Sequence, residues 1–534
     1  MHKIVIDGKE IEVEDGVNII QAAERIGVQI PHFCYHPSLS IVAQCRQCLV
    51  EVKGIPKVMP ACNLFPVDGM EVFTNSPKAV EARRATVEFT LINHPLDCPV
   101  CDKGGECDLQ LTAVSHGRDY SRFDPPEEKK VRKKYYLSER IMYDPNRCIM
   151  CTRCVRFTDE VTKTGELGYD NRGFRKKITV FPGKELNNEL SGNVIDLCPV
   201  GALLSKESLH GERVWYMKHT DTVCPLCSNG CNITAGANLR EGKLMRVRPR
   251  VNMDVNEHWI CDRGRFEFAE TQEPEKRLRQ PIRKDENGEY ENTSWELAAA
   301  DFQSAFTNTG RRAFLCSAVL TNEELYLALK LSEEFGVSRF ACNSGNTGGE
   351  KKFGIISADP FPNGTGAKDL GIDTGPSAAE KVAEALLAGE IDVLFVMHED
   401  LFRLCAGRES EMESALSRLS FLAVLDTRLT QTARFANLIL PGATPYEKDG
   451  TFTNDMGRVQ RVRKVLDAPG DAMQDWEALK LLGASSPEQF FHGSPAEIMG
   501  EISTRFKPYE AMDYDLIDFL GVGRKGDITG QSAF

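Results

Sequence analysis

Apolar and polar residues alternate from the first strand-length segment onward. Ile4 and Ile6, then Ile11 and Val13, lie on either side of Asp7-Gly8, a pattern that predicts a β-hairpin closed by a tight turn. Ile19, Ile20, Ala23 and Ile26 follow at helical spacing up to Gly27, predicting a short amphipathic helix with glycine as its stop. Residues 1–75 therefore read as a small β-rich unit. Ser76-Pro77 offers an N-cap and a first-turn proline for a helix running to about Ile92, with His94 just beyond it. Residues 124–140 are charged and rich in Pro, Glu and Lys; their basic run Lys129–Lys134 reads as a solvated linker, with a partner contact as the alternative.

From about residue 275 the pattern changes. A strand over Ala313–Val319 leads to a helix opened by Thr321-Asn322-Glu323-Glu324, a capping box, with Leu325, Leu329 and Leu331 at near-helical spacing. Ser377-Ala378-Ala379-Glu380 reads as a second capping box, whose helix stops at Gly389. Strands Ile391–Met397, Phe421–Leu425 and Leu438–Leu440 complete an alternation that predicts a parallel α/β sheet.

Length and charge narrow the class. A chain of 534 residues holds several domains. A formal net charge of −13 disfavours a general binder of nucleic acid or acidic membranes. No apolar run approaches the roughly 18–20 residues of a membrane helix. The N-terminus has neither the apolar core of a secretion signal nor an Arg/Ser-rich transit peptide. The expectation is a cytoplasmic protein that reaches a membrane only through partners.

The cysteines change the picture most. Fifteen of the eighteen precede residue 262, in groups with short gaps, whereas Cys316, Cys342 and Cys405 stand alone and read as small buried hydrophobes. The first set is Cys34, Cys45, Cys48 and Cys62, with gaps of ten, two and thirteen residues; four thiolates suffice for a 2Fe–2S cluster, and zinc is the competing reading. The second is His94, Cys98, Cys101 and Cys107, with Gly104-Gly105 supplying a turn before the last thiol. A lone histidine is usually structural, but this one stands four positions before a Cys-x-x-Cys. An imidazole in place of one thiolate leaves a 4Fe–4S site less negative by one charge, which by itself raises its potential. The third is Cys148, Cys151 and Cys154 with the remote Cys198-Pro199, the ferredoxin pattern for a single 4Fe–4S cluster. The fourth is Cys224, Cys227, Cys231 and Cys261, where zinc competes again with 4Fe–4S.

Four such sets in this order, together with Ser191-Gly192-Asn193-Val194-Ile195-Asp196-Leu197-Cys198-Pro199-Val200-Gly201-Ala202-Leu203, resemble the 75-kDa iron–sulfur subunit family of respiratory complex I, the NADH-quinone oxidoreductase. The likeness is strong over about 1–270 and looser to about 465. Residues 436–460, ANLILPGATPYEKDGTFTNDMGRVQ, are similar to a segment of molybdopterin oxidoreductases. The chain departs from those enzymes in having Arg263 where a lysine often follows the last cluster cysteine, and in a short second half.

The resemblance implies five parts: a β-grasp 2Fe–2S ferredoxin-type domain at 1–77; a His/Cys-ligated 4Fe–4S domain at 78–117; a 4Fe–4S ferredoxin-like domain at 118–215; a molybdopterin-oxidoreductase-type 4Fe–4S domain at 216–272; and a truncated, metal-free α/β domain with a C-terminal tail at 273–534. It implies an electron-transfer subunit of an NADH:quinone oxidoreductase, with one 2Fe–2S and three 4Fe–4S clusters. Electrons pass from an FMN/NADH-binding flavoprotein through the first, third and second sites to a ferredoxin-like 4Fe–4S subunit, and the fourth site lies off that route. The complex holds the chain on the cytoplasmic face of the inner membrane. No FMN, NAD, quinone or molybdenum site is read in this chain: Asn363-Gly364-Thr365-Gly366-Ala367 lacks the third glycine of a dinucleotide fingerprint and reads as a surface turn. The rivals are an iron–sulfur subunit of a soluble NAD-linked hydrogenase, formate dehydrogenase or bifurcating complex, and a zinc-stabilised scaffold.

Overall fold

The opening alternation folds as a hairpin in the computed structural model, which describes residues 1–123, 132–308, 310–345, 349–483 and 490–524. Strands β1 (His2–Ile6) and β2 (Lys9–Val13) pair antiparallel with Ile4 opposite Ile11. Asp7 and Gly8 both take positive φ, 49° and 83°, the conformation a two-residue hairpin turn needs. The helix Ile19–Arg25 begins at an Asn18/Gln21 capping box and buries Ile19, Ile20, Ala22 and Ala23. Strands β3 (Leu49–Val52), β4 (Met59–Pro60) and β5 (Glu71–Phe73) complete a five-stranded sheet ordered β2-β1-β5-β3-β4, with β5 parallel to β1. That crossed topology is the expected β-grasp. The helix Pro77–Ile92 starts at Ser76, whose hydroxyl accepts from the Ala79 N–H at 3.2 Å.

This first compact unit extends over Met1–Met217. Its remainder is built on small sheets: β6 (Tyr135–Tyr136), β7 (Ile141–Tyr143) and β10 (Leu203–Ser205) in one, β8 (Leu167–Asp170) and β9 (Lys177–Val180) in another. Of the basic run, residues 129–131 lie outside the described residues. Arg132 and Lys134 are tied to the domain, Arg132 donating to the Lys176 carbonyl at 3.0 Å and Lys134 pairing with Asp144 at 3.3 Å. Arg132 is half-buried and Lys134 stays exposed, so this end of the run is solvated but anchored.

The second unit, Lys218–Phe534, opens with a meander of β11 (Lys218–Val223), β12 (Asn232–Asn238) and β13 (Lys243–Pro249). An eight-stranded sheet follows. Strands β14 (Ile282–Lys284) and β15 (Tyr290–Asn292) form an antiparallel margin, and β16 (Arg312–Ser317), β17 (Arg339–Asn343), β18 (Asp373–Thr374), β19 (Val393–Met397), β20 (Phe421–Asp426) and β21 (Leu438–Pro441) run parallel to one another. The order β21-β20-β19-β16-β17-β18 places the reversal of strand order between β16 and β19. In doubly wound sheets the crevice beyond the carboxyl ends of such a pair is where ligands bind.

Here that crevice is packed with the chain's own polar side chains. The helix Asn322–Glu334 keeps its predicted Thr321/Glu324 capping box, but Asn322, Glu323 and Glu324 are all fully buried. Lys448, also without exposure, bridges Glu324 at 2.8 Å and Asp475 at 2.9 Å, and His398 binds Asp475 at 2.9 Å.

Two expectations are corrected. Asn363–Ala367 is no surface turn: Asn363 is wholly buried, accepts from the Thr453 N–H at 2.7 Å, and leads into the helix Gly364–Asp369. A Cβ at Gly366 would stand 2.1 Å from Asn322 Oδ1, so close packing requires that glycine. The helix Pro376–Leu387 starts at Gly375, φ 105°, with Pro376 in its first turn, and no capping box forms at Ser377. Cys316, Cys342 and Cys405 are buried as expected, with Cys316 and Cys342 in register on β16 and β17.

Glu323 makes the pH dependence of this unit predictable. Its carboxyl accepts from Thr451 N at 2.8 Å and Tyr514 Oη at 2.9 Å, yet burial pushes its pKa up to about 7. A raised folded pKa contributes stability that is complete below the unfolded value and lost as pH rises through the folded one. Between about pH 4.5 and 7 the Glu323 contribution should fall by about 3 kcal/mol. Glu323→Gln should remove that slope from urea unfolding of this unit; an unchanged slope rejects the assignment.

Candidate iron–sulfur sites

In the first set, the loop between the helix Ile19–Arg25 and β3 carries Cys34, Cys45 and Cys48, and the turn after β4 carries Cys62. Cys34 is hydrogen-bonded to Cys45 and Cys48 to Cys62, and charge interactions join the two pairs. The hydrogen bond from Cys34 pulls Cys45 down to about 5 despite burial. The same bond, then burial, push Cys34 up. Ala43 and Arg46 adopt left-handed backbone around Cys45, and the Phe33 N–H reaches its sulfur at 3.5 Å. Loops that turn this way aim N–H groups at an anionic centre.

The third set repeats the device. Met150 and Thr152 have φ of 57° and 66°, and the Met150 N–H donates to Cys148 Sγ at 3.4 Å. Cys154 sits in the short helix Arg153–Arg156, and Cys198 closes the helix Asn193–Leu197. Charge interactions link Cys148, Cys151, Cys154 and Cys198, and burial raises Cys151 to about 12 and Cys154 well above the usual thiol range.

In the second set, Cys98 opens a 3-10 turn and Cys107 caps the helix Asp108–His116. Cys101 interacts electrostatically with both. Burial raises Cys107 to about 11, whereas Cys98 is exposed. Arg147, buried and paired with Asp97 at 2.6 Å, supplies positive charge to Cys101. His94, two residues past the helix Pro77–Ile92, lines a cavity of about 360 Å³ together with Cys45 and Cys148. The structure thus groups the three thiols and puts the imidazole where the first and third sets also open.

The fourth set joins β11 to β12, with Cys261 at the head of the helix Asp262–Phe266. Cys224, Cys227, Cys231 and Cys261 interact mutually, and burial raises Cys224, Cys231 and Cys261. Asn229 Nδ2 donates to Cys231 Sγ at 3.1 Å and the Gly264 N–H to Cys261 Sγ at 3.3 Å. Lys351 Nζ, from the α/β part, holds Asn229 Oδ1 at 2.6 Å and Asp455 at 2.7 Å.

The donor sets fit iron–sulfur clusters. Thiols are grouped in loops whose N–H groups point at sulfur, and each unit places basic side chains near them. Among the described residues, no three His, Cys, Asp or Glu side chains are grouped as ligands of a single metal ion. Sequence reasoning missed the basic residues. Arg153 and Arg156 stand inside the third motif, Cys151-Thr-Arg-Cys-Val-Arg, and that enrichment was the available signal. Lys351 carried none, being 120 residues from Cys231.

Two contacts order the sites within the first unit. Arg156 Nη2 donates to the carbonyls of Cys34 at 2.5 Å and Cys151 at 3.4 Å, joining the first set to the third. Cys107 Sγ lies 3.7 Å from the Pro199 carbonyl, and a Cβ at Gly201 would stand 2.4 Å from Cys101 Sγ, joining the third to the second.

The comparisons with known proteins agree along the chain. Residues 1–77 match a 2Fe–2S iron–sulfur cluster binding domain, and 83–122 the NADH-ubiquinone oxidoreductase-G iron–sulfur binding region. Residues 138–204 match the ferredoxin-like domain of NADH-quinone oxidoreductase subunit 3, and 217–269 the NDSU1/NuoG-like 4Fe–4S domain of NADH-ubiquinone oxidoreductase. Residues 362–484 match molybdopterin oxidoreductase. The chain is 44% identical to the NADH-ubiquinone oxidoreductase 75 kDa subunit of Reclinomonas americana over 56% of this chain and 42% of that one. It is 42% identical to the mitochondrial NADH-ubiquinone oxidoreductase 78 kDa subunit of Neurospora crassa over 64% and 45%. These two alignments span less than half of either relative. A solved NAD+-reducing NiFe-hydrogenase chain aligns over 40% of this chain and 91% of that one at 29% identity, with a TM-score of 0.36, too low to compare folds. The mitochondrial NADH-ubiquinone oxidoreductase 78 kDa subunit of Candida albicans is 30% identical across 90% of this chain and 82% of its own length. With iron–sulfur domains of both 2Fe–2S and 4Fe–4S type followed by part of a molybdopterin-oxidoreductase fold, and a likeness that runs nearly end to end, the chain belongs to the 75–78 kDa iron–sulfur subunit family of NADH–quinone oxidoreductase.

Proposed function

We propose that this chain is an electron-transfer subunit of the peripheral arm of NADH–quinone oxidoreductase. Cys34, Cys45, Cys48 and Cys62 hold a 2Fe–2S cluster. Three 4Fe–4S clusters are held by His94 with Cys98, Cys101 and Cys107; by Cys148, Cys151, Cys154 and Cys198; and by Cys224, Cys227, Cys231 and Cys261. The five parts divide at 77, 117, 215 and 272.

Such clusters, when bound, supply one-electron storage without making or breaking bonds. The chain's residues hold the sites at fixed spacing, bury fourteen of the fifteen thiols fully or in part, and set the local charge through N–H groups, Arg147, Arg153, Arg156 and Lys351. The observation that carries this reading is the bonded series first–third–second within one unit, the order of the route the resemblance implies. The α/β part serves packing and assembly and binds no molybdenum. Among the described residues no helix is long and apolar enough to cross a membrane. Attachment at the cytoplasmic face then comes through the other subunits, a flavoprotein and a ferredoxin-like 4Fe–4S protein among them.

Anaerobically purified protein should contain about 14 iron atoms per chain, with little zinc and no molybdenum, and give paramagnetic signals of both cluster types after dithionite. A colourless, signal-free preparation that still assembles with its partners would reject the proposal. Co-purification with a flavoprotein and membrane subunits separates it from a role in a soluble hydrogenase.

A further inference from the structure

A buried cation needs a counter-charge, and three arginines are buried near the first three thiol sets. Arg147 has Asp97 at 2.6 Å and Asp144 at 3.4 Å, and Arg153 has Asp108 at 4.0 Å. Arg156 is different. Its Nη2 reaches the Cys34 and Cys151 carbonyls, its Nη1 the Ser40 carbonyl, and its Nε the Thr152 hydroxyl at 3.3 Å. All four acceptors are neutral, and among the described residues no carboxylate lies within ion-pair distance. Glu160 engages the same stretch, but through the Ser40 N–H and hydroxyl, not the guanidinium. Arg156 is 7% exposed. An ion so enclosed and held only by neutral groups is costly unless a compensating anion lies close.

The two carbonyls it clasps at Nη2 belong to cysteines of two different sets, and its own helix carries Cys154. We propose that Arg156 is a shared counter-charge for the first and third sites: a positioning residue that fixes their separation and makes each easier to reduce. This rests on the cluster assignment above. One positive charge between two thiolate-ligated centres favours the reduced, more negative state of both. A guanidinium suits the place because its planar fork bonds several acceptors without ever losing its proton.

The test is a redox titration, followed by low-temperature paramagnetic resonance, of the complete assembled complex carrying Arg156→Gln or Arg156→Lys, with iron measured on each. Arg156→Gln should lower the potentials of the 2Fe–2S signal and the third-site 4Fe–4S signal together and leave the fourth-site signal in place. A neutral side chain also slackens the fork, so the lysine variant decides: with the charge kept, both potentials should stay near wild type. Full iron with both potentials unmoved in Arg156→Gln overturns the proposal, as does Arg156→Lys falling as far as Arg156→Gln. Iron lost from both variants overturns the counter-charge, since the residue then acts only as a brace. Iron lost from the glutamine variant but kept by the lysine variant supports it. Absence of the signals from the wild-type protein would instead count against the cluster assignment.

Discussion

Lys448→Met should destabilise the α/β unit by about 3–5 kcal/mol, the range for removing one partner from a buried ion pair. Lys448 has no exposed surface and holds two carboxylates that have none either, Glu324 at 2.8 Å and Asp475 at 2.9 Å. Burial works against every charge in this cluster; it wins at Glu324, whose carboxyl it pushes up, while mutual attraction wins at the other members. Lys448 is held above the usual ammonium range, and Asp475 well below the usual carboxylate range by Lys448 and His398. Methionine fills the volume of the lysine stem and leaves two buried carboxylates with a single imidazole, the one on Asp475. The loss therefore comes from uncompensated charge and not from a cavity. The triple change Lys448→Met, Glu324→Gln, Asp475→Asn should recover most of the stability, because no orphaned charge remains. Amide exchange of Leu325 and Leu479, in the helices that carry the carboxylates, reads the effect locally in a chain whose global unfolding is not two-state. Protection in Lys448→Met equal to wild type would refute it.

Gly201→Ala should abolish the second site, removing roughly four iron atoms and its paramagnetic signal while the fourth-site signal persists. The backbone at Gly201 is open to any residue, so the effect is steric. The added methyl would stand 2.4 Å from Cys101 Sγ and 3.2 Å from Lys103 Cβ, so the sulfur must leave its place. Gly500→Ala is the control: its methyl meets nothing within 4 Å, and iron content should be unchanged. Full iron and an unaltered second-site signal in Gly201→Ala would refute this steric account.

The proposed sites were legible along the chain because thiols that share one loop must be close in number. Cys45 with Cys48 and Cys148 with Cys151 and Cys154 are such cases, and the Cys-Pro at 198 marks a remote partner by its own motif. Strand and helix periods likewise announced the β-hairpin at Asp7-Gly8, the helix after Ser76, and the parallel strands between 313 and 440. The burial of polar residues was not legible. Asn363 read as surface, and nothing local marked Glu323, Glu324 or Lys448 as interior, because polarity read locally suggests surface. They are interior because each finds its partner 80 or more residues away, as Asn363 does at Thr453 and Lys448 at Glu324.

By itself the sequence determined which thiols group, the β-grasp and α/β classes, and the family. These follow from spacing and periodicity, which are properties of neighbours in number. Only the tertiary structure decided that the third set adjoins both the first and the second, that His94 opens on the cavity shared by Cys45 and Cys148, and that Arg156 stands between two sets without a carboxylate. It also decided that the crevice at the reversal of strand order is closed by the chain's own ions. Those facts depend on groups far apart in the chain meeting at 3 Å, where charge and desolvation act. No local pattern records which distant partner a buried charge has found.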